Sequence, residues 1–137
     1  MTLGIIVGDF IKNYKITISD KLVTALELFN LPHQIFFVVP GTPVFLVSQI
    51  DDKTINFVGC AGNLNEYIRK VAPDWVLDMR SLDAENITFE RVFRYISEIE
   101  TPLFLRDIKN LRGNILIVPS QYAQNKLREQ GIDSIFV

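Results

Sequence analysis

The sequence predicts an open α/β fold, with one mostly parallel sheet and helices on both faces. Three observations carry this. Short runs of Ile, Val, Leu and Phe recur without polar alternation, at Leu3–Val7, Gln34–Val39 and Ile115–Val118. Strands of that kind are buried on both faces, as in a parallel sheet. Segments with apolar residues at helical spacing lie between them. The 137 residues suit one domain spanning 1–137, and no internal repeat, linker or low-complexity stretch divides them.

Taken in order, the first strand, LGIIV, ends at Gly8-Asp9. Residues 9–18 read as a loop. Ser19 is a good helix N-cap, and Asp20 would face the positive end of the helix dipole. Leu22, Val23, Leu26 and Phe29 follow at helical spacing, and Asn30 with Pro32 ends the helix. QIFFVV, Gln34–Val39, is the second buried strand, closed by Pro40-Gly41. Val44–Ser48 and Thr54–Gly59 flank Asp51-Asp52-Lys53 as a hairpin, a small insertion relative to a strict β-α repeat. Asn63-Leu-Asn-Glu66 is a capping box. Its helix, with Leu64, Tyr67, Ile68 and Val71 inward, stops before Pro73. Asp74–Met79 is the next strand. Thr88 caps an expected helix with Phe89, Val92, Phe93, Ile96 and Ile99 on one face, broken at Thr101-Pro102. PLFL, Pro102–Leu105, gives another strand. The chain then closes with a buried strand at Ile115–Val118, a turn at Pro119-Ser120, a helix to Gln130, a stop at Gly131 and a short apolar strand, Ile135–Val137. Apolar residues seldom end a chain in water, so this last strand is expected either to be paired in the sheet or to have led into a further segment.

Composition narrows the function classes. Fourteen basic and sixteen acidic residues leave a net charge of −2, with no basic run, so no nucleic-acid partner is expected. One cysteine, Cys60, excludes an internal disulfide, and one cysteine with one histidine argues against a structural zinc site. No apolar run reaches the ~20 residues of a membrane span. MTLGIIVGDF lacks a basic n-region and a small-residue cleavage site and is not read as a signal peptide. A reduced, cytoplasmic setting is the default expectation, with the cytosolic face of a membrane left open.

In open α/β sheets, ligands bind outside the carboxyl ends of the strands, near a topological switch point. That rule selects Gly8, Asp9 and Phe10 after the first strand, Arg80 and Ser81 after DWVLDM, Arg106 and Asp107 after PLFL, and Pro119, Ser120 and Gln121 after ILIV. Each also has a plain structural reading. Ser120 precedes a helix and is first of all an N-cap. Gly59-Cys60-Ala61-Gly62-Asn63 is a tight strand-to-helix turn before it is an anion site, since it lacks the Lys-Ser/Thr of a P-loop. Cys60 reads as a small buried residue, and His33 as structural. With one histidine, a hydrolytic triad has little to build on.

Four segments bear a family resemblance. Leu31-Pro-His-Gln-Ile-Phe-Phe-Val-Val-Pro40 resembles the "GHeVtvvtp" second strand of GT-B glycosyltransferases of the family 4-like group. Pro73-Asp-Trp-Val76 resembles their "PDvvh" strand, Thr101-Pro-Leu-Phe-Leu-Arg-Asp107 their "kPvv.t.HD" strand, and Asn114-Ile-Leu-Ile-Val-Pro-Ser120 with Gly131-Ile132 their "d.vivpSe…l...Gv" close. Order and spacing match along the chain. The resemblance implies a Rossmann-like N-terminal domain, the acceptor-side half of a cleft. The nucleotide-sugar donor would be held mainly by a C-terminal domain, expected to be absent here, that carries the family's acidic element. The acceptor would be a sugar or a lipid-linked molecule, and no cofactor or metal is implied. On this reading Asp9, Arg106 and Asp107 are the catalytic candidates, with Gly8, Phe10, Arg80, Ser81, Ser120 and Gln121 lining the substrate, and the half alone is inactive. Three features depart from the family pattern. Its Gly-Gly loop after the first strand is replaced by GDFIKNYKITI, its His before Asp is Arg106, and the histidines of its "PDvvhaH" strand are Leu77 and Met79.

Two alternatives stay open. One is a non-catalytic α/β interaction module, which could pair with a partner chain through its C-terminal strand. The other follows from Pro73-Asp-Trp-Val-Leu-Asp78, which resembles the "PDLVLLD" strand of response-regulator receivers, with spacing one residue short.

Overall fold

The computed structural model describes residues 3–12, 15–16, 20–28, 34–41, 45–50, 53–80, 84–96 and 115–136. These form ten strands and three helices. In chain order they are β1 (Leu3–Val7), β2 (Ile11–Lys12), β3 (Lys15–Ile16), α1 (Asp20–Leu28), β4 (Gln34–Pro40), β5 (Phe45–Ile50), β6 (Lys53–Cys60), α2 (Leu64–Val71), β7 (Trp75–Asp78), β8 (Val92–Tyr95), β9 (Ile115–Val118), α3 (Gln121–Glu129) and β10 (Ile135–Phe136).

Eight strands make one sheet in the order β10-β9-β8-β7-β1-β4-β6-β5. All neighbours are parallel except the edge pair β5–β6. Chain order moves outward from β1 through β4 to β6, then restarts on the other side at β7 and runs outward to β10. The topological switch point therefore lies between β1 and β7. The fold is a Rossmann-like α/β domain, as the apolar runs predict. The hairpin is only half an insertion: β6 is a full parallel member beside β4, and β5 alone is extra. The 9–18 loop contains a two-stranded antiparallel ribbon, β2–β3.

The alternation of strand side chains divides the core. Ile6, Phe37, Phe57 and Leu77 turn to one face, where Leu22, Ala25 and Leu26 of α1 and the Phe10 ring cover them. Ile5, Val7, Val38 and Val76 turn to the other, under Ile68 of α2 and Ile87 of the β7–β8 connection. Leu116 and Val118 of β9 lie on that second face under Ala123 and Leu127 of α3. Of the four predicted caps, those at Asn63 and Ser120 form. The Asn63 carboxamide oxygen accepts from Glu66 N at 3.0 Å, and Ser120 Oγ accepts from Ala123 N at 3.1 Å. Gly131, at φ +74°, ends α3 in the left-handed conformation that glycine adopts without strain.

The helix expected from Thr88 is a correction. Val92–Tyr95 is β8, paired parallel with β7 on one side and β9 on the other. The spacing of Phe89, Val92, Phe93 and Ile96 fits a helix stripe, but over so few residues it also fits a strand whose two faces are both apolar. Sheet pairing decides it: Val92 and Arg94 turn to the α2 face, and Phe93 joins the core of the other. Thr88 is held in the preceding extended segment, where its N–H donates to Asn65 Oδ1 at 2.9 Å while Asn65 Nδ2 donates to Asn86 O at 3.3 Å. The PLFL strand, Ser19 and His33 lie outside the described residues. Among the described residues no helix is long and apolar enough to cross a membrane.

Candidate functional site

The parallel strands all present their carboxyl ends to one edge. At the switch point that edge is laced by main-chain bonds: Gly8 N donates to Val38 O at 3.1 Å, and Met79 N donates to Val7 O at 2.8 Å. Gly8 is buried, and a Cβ there would come within 2.7 Å of Phe10 Cζ. The missing side chain lets Phe10 fold back over the end of β1. The Phe10 ring is 2% exposed. It meets Phe37 edge-on at 5.3 Å between centroids and Phe57 at 6.4 Å, so Phe10 contributes to the core on the α1 face. Asp9, between these two residues, is exposed.

The end of β7 carries the densest polar cluster among the described residues. Asp78 is fully buried and Arg94 is 1% exposed. They are register partners on adjacent strands and form an ion pair through Arg94 Nη1 and Asp78 Oδ2. Arg80 turns back onto the same carboxylate with a two-pronged contact, Nε to Oδ1 and Nη2 to Oδ2, each 3.0 Å. Its main-chain N–H also donates to Oδ1, at 3.0 Å. Arg80 Nη2 donates further to Glu85 O at 2.6 Å, which ties down the connection leaving β7. Arg94 Nη2 reaches Arg80 O at 3.4 Å. On the other face, Lys21 in the first turn of α1 donates from Nζ to Met79 O at 3.0 Å.

Sequence reasoning missed Asp78 and Arg94 as a pair, and it missed Lys21. A signal existed for the first two, because each is a lone charge inside an apolar strand run and the signs are opposite. A buried charge needs such a partner. Lys21 had a weaker one: a cation in the first turn sits against the helix dipole, which implies a compensating contact elsewhere.

The remaining candidates separate. Ser120 caps α3, and Gln121 is exposed, donating from Nε2 to Gln124 Oε1 at 2.9 Å and to Asn125 Oδ1 at 3.1 Å. Both follow β9, which is separated from β7 by β8. Gly8 and Asp9 follow β1 and Arg80 follows β7, the neighbouring strand. Ser81, Arg106 and Asp107 lie outside the described residues. Cys60 is buried and its thiol donates to Gly62 O at 3.6 Å. The Tyr67 phenol is pushed above its ordinary value of 10.0, first by burial and then by the nearby Cys60. Among the described residues no three His, Cys, Asp or Glu side chains are grouped to hold a metal ion.

The receiver resemblance rests on Asp78, and the geometry runs against it. A phospho-acceptor carboxylate must be reachable, whereas this one is enclosed by two guanidinium groups. The strand order is also not the 2-1-3-4-5 of the flavodoxin-like sheets. Comparison of the chain with family models, with curated proteins and with solved structures gave no match.

Proposed function

We propose that this chain is the N-terminal, acceptor-side domain of a GT-B glycosyltransferase. It would form one wall of a cleft in which a sugar passes from a nucleotide-sugar to an acceptor hydroxyl. The observation that supports this reading is the strand order. Numbered along the chain without β5 and the β2–β3 ribbon, the sheet runs 3-2-1-4-5-6-7, the order of doubly wound nucleotide-binding domains with one strand added. Three of the four motif-bearing segments fall on strands of this sheet, in β4, at the start of β7 and on β9.

In this role Asp9, exposed beyond β1 beside the switch point, accepts hydrogen bonds from sugar hydroxyls. Arg106 and Asp107 complete the set by the resemblance. Catalysis of this kind rests on positioning and on stabilising the leaving diphosphate. Most of the latter belongs to the donor-binding half, so the chain alone should transfer negligible sugar. The test is to express the natural reading frame and assay transfer from UDP-, GDP- and ADP-sugars. Asp9→Ala, Arg106→Ala and Asp107→Ala should each lower kcat/KM. Unchanged values in all three would remove the site assignment. A frame without that C-terminal domain, and with no transfer, would remove the enzyme reading.

A second reading is favoured by one observation. β10 is the sheet edge, and Ile135 and Phe136 are each 49% exposed there. As an interaction module, the chain would extend its sheet by pairing this edge with a second copy. Light scattering should then report a dimer that Phe136→Lys converts to monomer. A wild-type monomer at high concentration would exclude it.

A further inference from the structure

We infer that β5 is a dimerisation edge. A second copy of the chain pairs its own β5 antiparallel to it, with Val47 on the two-fold axis, and joins two eight-stranded sheets into one. This edge is at the opposite end of the sheet from β10, and its role does not rest on sugar transfer.

β5 closes the sheet, and β6 is its one neighbour among the described residues. Six residues, Phe45–Ile50, pair with β6 without a skipped position. The far side of the strand presents main-chain N–H and C=O groups that have no strand partner among the described residues. Proteins ordinarily blunt such an edge with a charge, a proline, a bulge or a very short strand. FLVSQI has no charge and no proline, its register is unbroken, and its six residues compare with the two of β10.

Alternation puts Phe45, Val47 and Gln49 on the α2 face of the sheet, opposite Val58, Asn56 and Thr54. The core under α2 takes in Val38 and Cys60, but Phe45 is 71% and Val47 50% exposed. On the other face Leu46 and Ile50 pack against the core and hold the strand in place.

The occupant is a second copy because the strand is complementary to itself. A two-fold axis perpendicular to the sheet makes two β5 strands antiparallel and keeps their α2 faces on one side. Residues directly opposite then share a face. Of the registers that match the faces, the one that covers both Phe45 and Val47 sets Val47 against Val47 and Phe45 against Gln49. Gln49 already turns its amide to Thr54, Nε2 donating to Oγ1 at 3.1 Å, so its methylenes are left for the Phe45 ring. No charge is buried in the pairing, and it continues the antiparallel arrangement of β5 with β6. An edge of this length, about 20 Å, buries about 400 Å² on each copy and about 800 Å² in all, which is the range of weak, transient association. The dimer is therefore reversible and forms at high concentration.

Sedimentation velocity of the purified chain, from about 10 μM to about 1 mM, should show a monomer–dimer equilibrium with Kd inside that range. Val47→Lys sets two ammonium groups against each other on the axis and should weaken association at least about tenfold. An equimolar mixture of Val47→Lys and Val47→Glu should restore it. Phe136→Lys, on the β10 edge, should leave it unchanged. A readout free of any change to β5 comes from the wild type: an isotope-filtered NOE spectrum of mixed labelled and unlabelled chains should show contacts between copies at Val47, and between Phe45 and Gln49. A wild-type monomer at about 1 mM overturns the inference and leaves the edge to a strand of another protein. Contacts between copies that lie elsewhere overturn it too. So does a dimer that Phe136→Lys dissociates and Val47→Lys does not, which would move the interface to β10.

Discussion

Asp78 and Arg94 face each other across two adjacent parallel strands, and their ion pair is sealed from water on both sides. Two charges in such a place stabilise little as a pair, since their desolvation offsets their attraction. They do fix the register of β7 against β8, because a slip would leave each charge facing an apolar wall. Asp78→Asn should therefore destabilise the fold by about 3–5 kcal/mol, the cost of leaving an uncompensated buried charge. Urea unfolding measures this directly. The double change Asp78→Leu with Arg94→Leu should lose less than the sum of its singles. Additive losses would mean that the two residues act independently.

Gly4 is the second residue of β1, opposite Trp75 in the β1–β7 register. A Cβ at this position would overlap the Trp75 ring. Gly4→Ala should cost about 1–3 kcal/mol through overpacking. The fluorescence of Trp75, the one tryptophan in the chain, should change in the folded state. A native emission spectrum with unaltered stability would show that the ring has room to move.

Ser120 is a cap in this structure, and its hydroxyl satisfies Ala123 N at the start of α3. Ser120→Ala should destabilise by about 1 kcal/mol, whereas Ser120→Asp, which can also cap, should cost less. Equal losses in the two variants would argue for a role of the hydroxyl beyond the cap.

Alkaline pH should act through Tyr67. Burial, and then the neighbouring Cys60, raise its folded-state pKa above 10.0. The folded state therefore binds the phenol proton more tightly than the unfolded chain does. That contribution to stability is whole below about pH 10 and is lost as pH rises through the raised folded value. Tyr67→Phe should flatten this part of the stability–pH curve. Cys60→Ala should move the midpoint down, towards the ordinary tyrosine value. An unchanged alkaline limb in Tyr67→Phe would assign the pH dependence to another group.

What could be read from the sequence was local or periodic. The unalternating strands announced a two-sided sheet. Asn63 and Ser120 announced two helix starts through their capping chemistry, and Gly131 announced a helix end. The misreading at Thr88 has a physical cause. Val92–Tyr95 is too short for its apolar spacing to distinguish a helix stripe from a strand with two covered faces, and the choice is made by β7 and β9, which lie far from it in the chain. The site was legible only in outline. The rule of strand carboxyl ends selected Gly8, Asp9 and Arg80, which follow the adjacent strands β1 and β7. It could not tell that Phe10 turns into the core, nor that Arg80 is already clasped by Asp78. Lys21 and Arg94 reach the end of β7 from α1 and β8, separated from it in sequence by 58 and 16 residues, and no local pattern carries such distances.

By itself, then, the sequence determined the alternation of strands and helices and the class of sheet they build, because propensity, capping and burial on both faces are properties of neighbouring residues. Only the tertiary structure decided the strand order, the position of the switch point and the enclosure of Asp78 by two arginines. Those depend on which segments become neighbours, and that is a property of the packed chain as a whole.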